Sequence, residues 1–138
     1  MKLWFHHLNI NHHDVPELDS FYGDVLLQSD IPEMGAVPSI PGALYAGELA
    51  FRVSENGSQF HLTETDTNVG IRAGKQINPL ERGHVAFRTD DIEAFKKHLE
   101  DKGIPYVDYG TTFTKLWTQI YFHDPAGTII EVHQVLEE

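Results

Sequence analysis

Four residues of this 138-residue chain combine a metal-binding side chain with a strand-like setting. They are His7, His61, His84 and Glu131. A carboxylate that lies between two apolar strand residues is costly to bury unless a cation meets it. Imidazole and carboxylate suit Zn, Ni, Co, Mn or Fe, so we predict that all four residues bind one divalent metal ion. Such a set leaves at least one coordination position open, which a catalytic metal requires.

The four residues occupy matching positions of an internal repeat. The segment from His7 to Val15 matches the segment from His84 to Ile92, and Phe60-His61-Leu62 matches Ile130-Glu131-Val132. Each half therefore contains a strand, a helix and further strands. A half of this kind cannot bury both faces of its sheet. We therefore expect the two halves to pair into one curved sheet with helices on the convex side.

Alternation of apolar and polar residues predicts which way each side chain points. The positions predicted to face the helices are Leu8, Ile10, Phe60, Leu62, Val85, Phe87, Ile130 and Val132. The four candidate ligands then share the concave side. The same alternation places His6 on the face opposite His7 and places His133 on the face of Glu131. His133 is either a residue that supports the site or a histidine at a strand end.

Capping and turn residues predict the remaining elements. Asp14 caps a first helix that runs to about Leu27, and Asp90 or Asp91 caps a second helix that runs through Lys102. The other predicted elements are an irregular segment with one edge strand at 30–46, a hairpin of 48–53 with 58–64, a strand near 105–109, and a hairpin of 116–123 with 128–134. We expect one domain over 1–138, with module one at about 1–65, a linker at 66–82 and module two at about 83–138.

Composition excludes several classes of protein. The formal net charge is −11, from ten basic and 21 acidic residues, which argues against nucleic-acid partners and against anionic membranes. No apolar run approaches the roughly 20 residues that a membrane span needs. The chain has no cysteine and no signal-peptide pattern. We therefore expect a cytoplasmic protein without nucleic-acid or membrane partners.

Several segments, in this order and spacing, resemble the vicinal oxygen chelate superfamily. They are His7-Leu8-Asn9-Ile10 with Asp14, Phe21-Tyr22-Gly23-Asp24-Val25-Leu26, Phe60-His61-Leu62, Gly83-His84-Val85-Ala86-Phe87, and Phe122-His123-Asp124-Pro125-Ala126-Gly127 leading to Glu131. This superfamily contains glyoxalase I, fosfomycin-resistance proteins, extradiol dioxygenases and bleomycin-resistance proteins. The resemblance implies an α+β fold of two paired βαβββ modules, which form a cupped, mostly antiparallel sheet with helices on the convex face. It also implies a divalent metal ion, a small-molecule substrate and a homodimer.

The resemblance also implies roles for individual residues. His7, His84 and Glu131 match ligand positions of metal-binding members, whereas His61 stands where glyoxalase I has a second Glu. Glu131 and Tyr121 are the candidate catalytic residues, because Tyr121 matches a tyrosine that contacts substrate in two branches. The candidate substrate-binding residues are Asn9, Asn11, Arg88, Trp117 and Gln119, which share the predicted concave face.

The reaction stays open, because this superfamily carries several chemistries on one fold. The first interpretation is a glyoxalase-like lyase or isomerase, in which Glu131 moves a proton while the metal polarises a carbonyl. The second is a small Fe(II) ring-cleaving dioxygenase, with His7, His84 and Glu131 as a 2-His-1-carboxylate set. Thiol transfer to an epoxide antibiotic is a third. Non-enzymatic binding of an antibiotic or metabolite, as in bleomycin resistance, is a fourth.

Overall fold

Alternating apolar residues build an open sheet of eight strands, which a computed structural model of the protein describes over residues 1–31 and 44–136. The strands are β1 (Leu3–His12), β2 (Ser29–Asp30), β3 (Leu49–Val53), β4 (Gln59–Glu64), β5 (His84–Thr89), β6 (Val107–Gly110), β7 (Trp117–His123) and β8 (Ile129–Val135). The helices are α1 (Val15–Ser20), which a π-helical turn at Phe21–Val25 continues, α2 (Val69–Ala73) and α3 (Ile92–Asp101). No helix within the two described ranges is long and apolar enough to cross a membrane.

The internal repeat is visible in the strand order, β2-β3-β4-β1-β5-β8-β7-β6, and the predicted α+β class is confirmed. Strands β1 and β5 open the two halves and pair antiparallel at the centre. Each lies parallel to the last strand of its own half, β1 to β4 and β5 to β8. The other pairings are antiparallel. This order brings His7 on β1, His84 on β5 and Glu131 on β8 onto three neighbouring strands.

Part of the hydrophobic core lies between the second half of the sheet and α3. Ile92, Phe95 and Leu99 recur with helical spacing and pack on Ile120 and Val132. Neither Ile120 nor Val132 has any exposed surface. The prediction that Val132 faces the helices is therefore confirmed, and the opposite face of the sheet is left for polar side chains.

Both predicted helix caps are confirmed. Asp14 accepts a hydrogen bond from the backbone N–H of Glu17 at 3.1 Å, and Asp91 accepts one from Ala94 at 3.0 Å. These bonds satisfy backbone donors that have no partner inside the first helical turn. The helix after Asp91 ends before Gly103, which adopts the left-handed conformation that glycine favours, with φ of 71°.

Three local features differ from the sequence prediction. Helix α1 ends at Ser20, because the chain continues as a π-helical turn before Leu27, which has a φ of 60°. The predicted linker at 66–82 contains α2, which buries Val69 completely and is too short to produce a helical pattern in the sequence. A two-residue strand, β2, lies at the start of the segment where one edge strand was predicted. Most of the segment predicted around it, residues 32–43, lies outside the described residues.

A bulge in β1 turns His6 toward the candidate ligands. The pairing of β1 with β5 changes register between Phe5 and His7. A bulge inserts one residue and re-aims the side chains beside it. The ring centroid of His6 consequently lies 5.1 Å from that of His7 and 4.9 Å from that of His133. The predicted placement of His6 on the opposite face was wrong, because simple alternation does not hold across a bulge.

We expect Gly83→Ala to lower the free energy of unfolding by about 3 kcal/mol. Gly83 has a φ of +77°, and an added Cβ would stand 2.5 Å from the backbone oxygen of Asn9. Gly127→Ala is the matched control, because its φ is +85° but the added Cβ meets open space. The control should lose about 1 kcal/mol in urea unfolding. Equal losses in the two variants would show that the close approach of Asn9 has no energetic effect.

Candidate metal centre

Glu131 lies at the centre of the polar face of the sheet and has only 2% of its surface exposed. Its Oε1 atom lies 2.9 Å from Nε2 of His84 and 3.8 Å from Nε2 of His7. Both rings are buried as well, because β5 and β1 pair with each other at the centre of the sheet. Oε1 of Glu131 therefore contacts one imidazole nitrogen, from β5, and has a second nearby, from β1.

In each of these three side chains, the nitrogen or oxygen atom that does not take part in these contacts is held by a hydrogen bond. Nδ1 of His84 donates to the carbonyl oxygen of Pro79 at 2.8 Å. Nδ1 of His133 lies 2.6 Å from the second carboxylate oxygen, Oε2. Nδ1 of His7 shares a hydrogen bond of 2.8 Å with Nδ1 of His6. Bonds of this kind orient metal-binding side chains and fix the tautomer of imidazole ligands.

The contact between His84 and Glu131 fits a shared cation. A carbonyl oxygen only accepts hydrogen bonds, so Nδ1 of His84 carries the proton, and in the neutral ring Nε2 presents a lone pair to the carboxylate. Two lone pairs at 2.9 Å repel unless a proton or a cation lies between them. Two atoms bound at right angles to one ion, each at about 2.1 Å, are about 3 Å apart. The residues present therefore fit a divalent metal ion.

The environment favours the protonation states that bind metal. Burial is the largest cause that lowers the pKa of His7 well below its usual value, and burial also lowers the pKa of His61 to about 3. Burial opposes ionisation of Glu131. The hydrogen bond from His133 nevertheless holds the pKa of the Glu131 carboxyl well below its usual range. Neutral imidazole and ionised carboxylate are the forms that coordinate metals.

His61 lies beside this group. Its ring stacks on that of His7, with centroids 3.6 Å apart and 12° between the ring planes. Its Nε2 lies 2.8 Å from the side-chain oxygen of Gln59. Ligand-type atoms lie within 4.8 Å of one another in two groups among the described residues: His7 with Glu131 and His133, and His6 with His7 and His61. The four predicted ligands thus do not form one such group: Glu131 contacts His84 and lies near His7, and His61 is stacked on His7.

A cavity of about 340 Å³ opens over these side chains. Its apolar walls include Phe51, Leu80, Phe113, Leu116 and Trp117, and its polar lining includes Asn9, Thr63, Gln119 and Tyr121. Protein sites that bind small molecules typically have this volume and combine apolar walls with a few polar groups. The lining of the cavity also includes all four predicted ligands, His7, His61, His84 and Glu131.

Two polar side chains of β7 lie in the cavity beside Glu131. The hydroxyl of Tyr121 donates to Oε1 of Glu131 at 3.3 Å, and the amide nitrogen of Gln119 donates to that hydroxyl at 3.4 Å. Within the described residues, the side-chain oxygen of Gln119 is the buried side-chain atom without a hydrogen-bond partner. Buried acceptors are rarely left unpaired. This oxygen is therefore placed to accept a hydrogen bond from a bound molecule.

The predicted substrate-binding residues fall into two groups. Those that line the cavity are Asn9, Trp117 and Gln119. The amide oxygen of Asn11 instead accepts a hydrogen bond from the backbone N–H of Gly83 at 2.7 Å. Arg88 donates from Nε to Nε2 of His133 at 3.0 Å. The structure thus places Asn11 and Arg88 outside the cavity lining, where each bonds to protein atoms.

Three groups around the site were missed or left open by the sequence. His133 is fully buried. Its position two residues after Glu131 on a strand indicated that it lies on the same face, but not what it contacts. His6 gave no signal, because the bulge that turns it inward does not show in the pattern. The carbonyl of Pro79 gave none either, because a backbone group has no residue-type signature.

One family of sequences matches most of the chain. A sequence model described as Glyoxalase/Bleomycin resistance protein/Dioxygenase superfamily matches residues 4–132. A search of curated proteins found no match. The matched range contains all four predicted ligands.

Solved structures share the fold at low sequence identity. Methylmalonyl-CoA epimerase from Mycobacterium tuberculosis is 16% identical with a TM-score of 0.66, over 96% of this chain and 88% of that one. A variant of the Streptomyces coelicolor methylmalonyl-CoA epimerase is 20% identical with a TM-score of 0.62, over 96% and 97%. A glyoxalase/bleomycin resistance protein/dioxygenase superfamily member from Vibrio splendidus 12B01 is 14% identical with a TM-score of 0.60, over 96% and 99%. At these identities the likeness shows the fold alone.

Proposed function

The chain belongs to the glyoxalase/bleomycin resistance protein/dioxygenase superfamily, and on that premise we propose that it is a metal-dependent enzyme, a glyoxalase-like lyase or isomerase. The observation that carries the proposal is the buried carboxylate of Glu131, whose Oε1 faces Nε2 of His84 and of His7 beneath a cavity for a small molecule. A divalent ion held by these atoms would supply Lewis-acid polarisation of a substrate carbonyl. The substrate would bind through two neighbouring oxygen atoms.

The proposed ligands are His7, His84 and Glu131, with His61 as a fourth that exchanges its hydrogen bond to Gln59 for the ion. The proposed ion is Zn, Ni, Co, Mn or Fe, which imidazole and carboxylate both suit. Glu131 is the one ionised side chain among the described residues that line the cavity. A divalent ion would therefore give the site a net positive charge, which stabilises negative charge as it develops on a substrate oxygen.

Glu131 is also the proposed proton carrier. The hydroxyl of Tyr121 donates to Oε1, which would exchange the ion for the substrate proton, because Oε2 stays bonded to His133. The unpaired oxygen of Gln119 would accept a hydrogen bond from a substrate hydroxyl. Trp117 and Asn9 would form the walls against which the substrate packs. These roles require a small substrate with adjacent oxygen atoms and one removable proton.

A second candidate is a small Fe(II) ring-cleaving dioxygenase. The observation that favours it is the approach of Nε2 of His84 and Nε2 of His7 to one carboxylate oxygen of Glu131, while His61 is bonded to Gln59. A set of this type leaves positions for a catecholate and O₂ when it binds Fe(II).

We also propose that the protein is a homodimer. At the start of β1, Leu3, Trp4 and Phe5 have 43%, 44% and 43% of their surfaces exposed. Large exposed apolar side chains at the end of a central strand favour a contact with another chain. Light scattering would measure the mass of the assembly directly.

The proposed reaction is tested by deuterium exchange. Protein loaded with Zn, Ni or Co is expected to exchange the hydrogen next to the carbonyl of a hemithioacetal or a 2-substituted acyl-CoA thioester in D₂O, because proton transfer at that carbon is the proposed chemistry. Proton NMR measures the loss of the signal, and a chelator should stop it. The thioester is included because the structurally similar epimerases act on methylmalonyl-CoA.

Two outcomes would contradict the lyase or isomerase. O₂-dependent cleavage of a catechol by the Fe(II) protein, without any deuterium exchange, would establish the second candidate instead. Binding of compounds in the cavity without turnover, with every metal tried, would leave a non-enzymatic binding protein.

A further inference from the structure

Arg88 is linked to the candidate metal centre through His133. It is half-buried on β5, in register with His133 on β8. Its Nε donates a hydrogen bond of 3.0 Å to Nε2 of His133, and its guanidinium lies 5.1 Å from the ring centre of Trp117. These two contacts hold the guanidinium of Arg88 next to His133 and outside the cavity.

The contact with Arg88 determines which nitrogen of His133 carries the proton. A guanidinium has donors only, so Nε2 of His133 must accept. The remaining nitrogen, Nδ1, then carries the hydrogen and donates it to Oε2 of Glu131 at 2.6 Å. With Oε2 engaged in this way, Oε1 is the oxygen that faces the Nε2 atoms of His84 and His7.

The ring of His133 cannot easily turn away from this arrangement. It is fully buried, and it stacks on Trp117 with ring centroids 4.1 Å apart and 8° between the planes. The ring of His6 lies against it edge-on, at 4.9 Å. Because the ring of His133 is held in one orientation, it keeps both of its hydrogen bonds, the one from Arg88 and the one to Glu131.

We propose that Arg88 and His133 are positioning residues, which hold Glu131 so that Oε1 binds the ion while Oε2 stays bonded to the protein. This inference rests on the proposed metal-dependent function. It assigns Arg88 a place outside the cavity, whereas its predicted role was contact with the substrate.

The test uses three variants of the full chain. Arg88→Met keeps an apolar side chain against Trp117 but removes every hydrogen-bond donor to His133. Arg88→Lys restores a charged group that can donate hydrogen bonds but cannot accept them. Arg82→Gln is the matched control, since it removes a guanidinium from an exposed side chain. Circular dichroism would confirm that each variant is folded. Zinc affinity and the visible spectrum of the Co(II)-loaded protein would be measured for all of them.

We expect Arg88→Met to bind zinc about 10-fold to 100-fold more weakly and to change the cobalt spectrum. Arg88→Lys should recover part of the affinity, and Arg82→Gln should match the wild type. Long-range ¹H–¹⁵N NMR of the metal-free protein should show the proton of His133 on Nδ1 in the wild type and on both nitrogens in Arg88→Met. The NMR measurement does not depend on metal.

Two results would overturn the positioning role. One is a wild-type proton on Nε2 of His133. The other is unchanged zinc affinity and an unchanged cobalt spectrum in Arg88→Met, in a wild type that does bind metal. If the NMR result is as expected but the wild type binds no metal, the proposed function fails, while the bond from His133 that holds Oε2 is supported.

Discussion

Glu131→Gln is expected to weaken zinc binding by about 100-fold or more and to lower kcat/KM by about 10³-fold. The change removes the anionic ligand and the proposed proton carrier, yet it keeps the size and shape of the side chain. It also places an amide opposite Nε2 of His84, which lies 2.9 Å from Oε1 in the native site. Competition with a chromogenic chelator measures the affinity, and the deuterium-exchange assay measures the activity.

Glu93→Gln is the matched control for this variant, because Glu93 is exposed on α3 and bonds only to Lys96 in the described residues. It should bind zinc and exchange deuterium as the wild type does. A Glu131→Gln protein that is folded and keeps both properties within about twofold would exclude Glu131 as ligand and as proton carrier.

Lowering the pH from 7 to 5 is expected to destabilise the metal-free protein by roughly 4 kcal/mol. His7 and His61 are buried, and burial lowers the pKa of His61 from 6.5 to about 3 and lowers the pKa of His7 well below 6.5. Below pH 6.5 the unfolded chain takes up protons that the folded chain does not. The free energy of unfolding therefore falls as the pH falls, by up to about 1.4 kcal/mol per pH unit for each buried histidine.

Glu131 adds nothing in this pH range. Its lowered pKa contributes stability that is fully present above its usual value of 4.5 and is lost only at lower pH.

Urea unfolding with a chelator present, followed by tryptophan fluorescence, measures how the free energy of unfolding depends on pH. His61→Asn should reduce this dependence by about half, whereas His98→Asn, on an exposed helix face, should not change it. Equal wild-type stability at pH 7 and pH 5 would show that the buried histidines titrate normally.

The sequence predicted the features that a regular pattern specifies. The apolar residues of α3 recur with helical spacing, and those of β8 alternate, so their packing on Val132 could be predicted. Asp14 and Asp91 could be identified as caps because a side-chain acceptor just before a helix has a direct physical role. The repeat predicted that His7, His61, His84 and Glu131 share one face of the sheet, and the structure places all four on neighbouring strands, where they line one cavity.

The features that were not predicted depend on local geometry. Alternation predicts on which face of a strand a side chain lies, but it does not predict where a bulge occurs. The bulge before His7 brings His6 to the site. Alternation also gives the face of His61 but not its rotamer, and the rotamer stacks the ring on His7. The partner of Arg88 depends on the register of β5 with β8, which follows from pairing across the sheet.

The most direct test of a metal centre at Glu131 is the zinc content of untagged protein after reconstitution and dialysis. Wild-type protein is predicted to hold one zinc ion per chain. His84→Ala is predicted to hold far less at the same free zinc concentration, and His123→Ala, an exposed residue at the last turn, is predicted to match the wild type. Wild-type protein without zinc after reconstitution, or a His84→Ala protein with the full wild-type content, would contradict a metal ion bound between His7, His84 and Glu131.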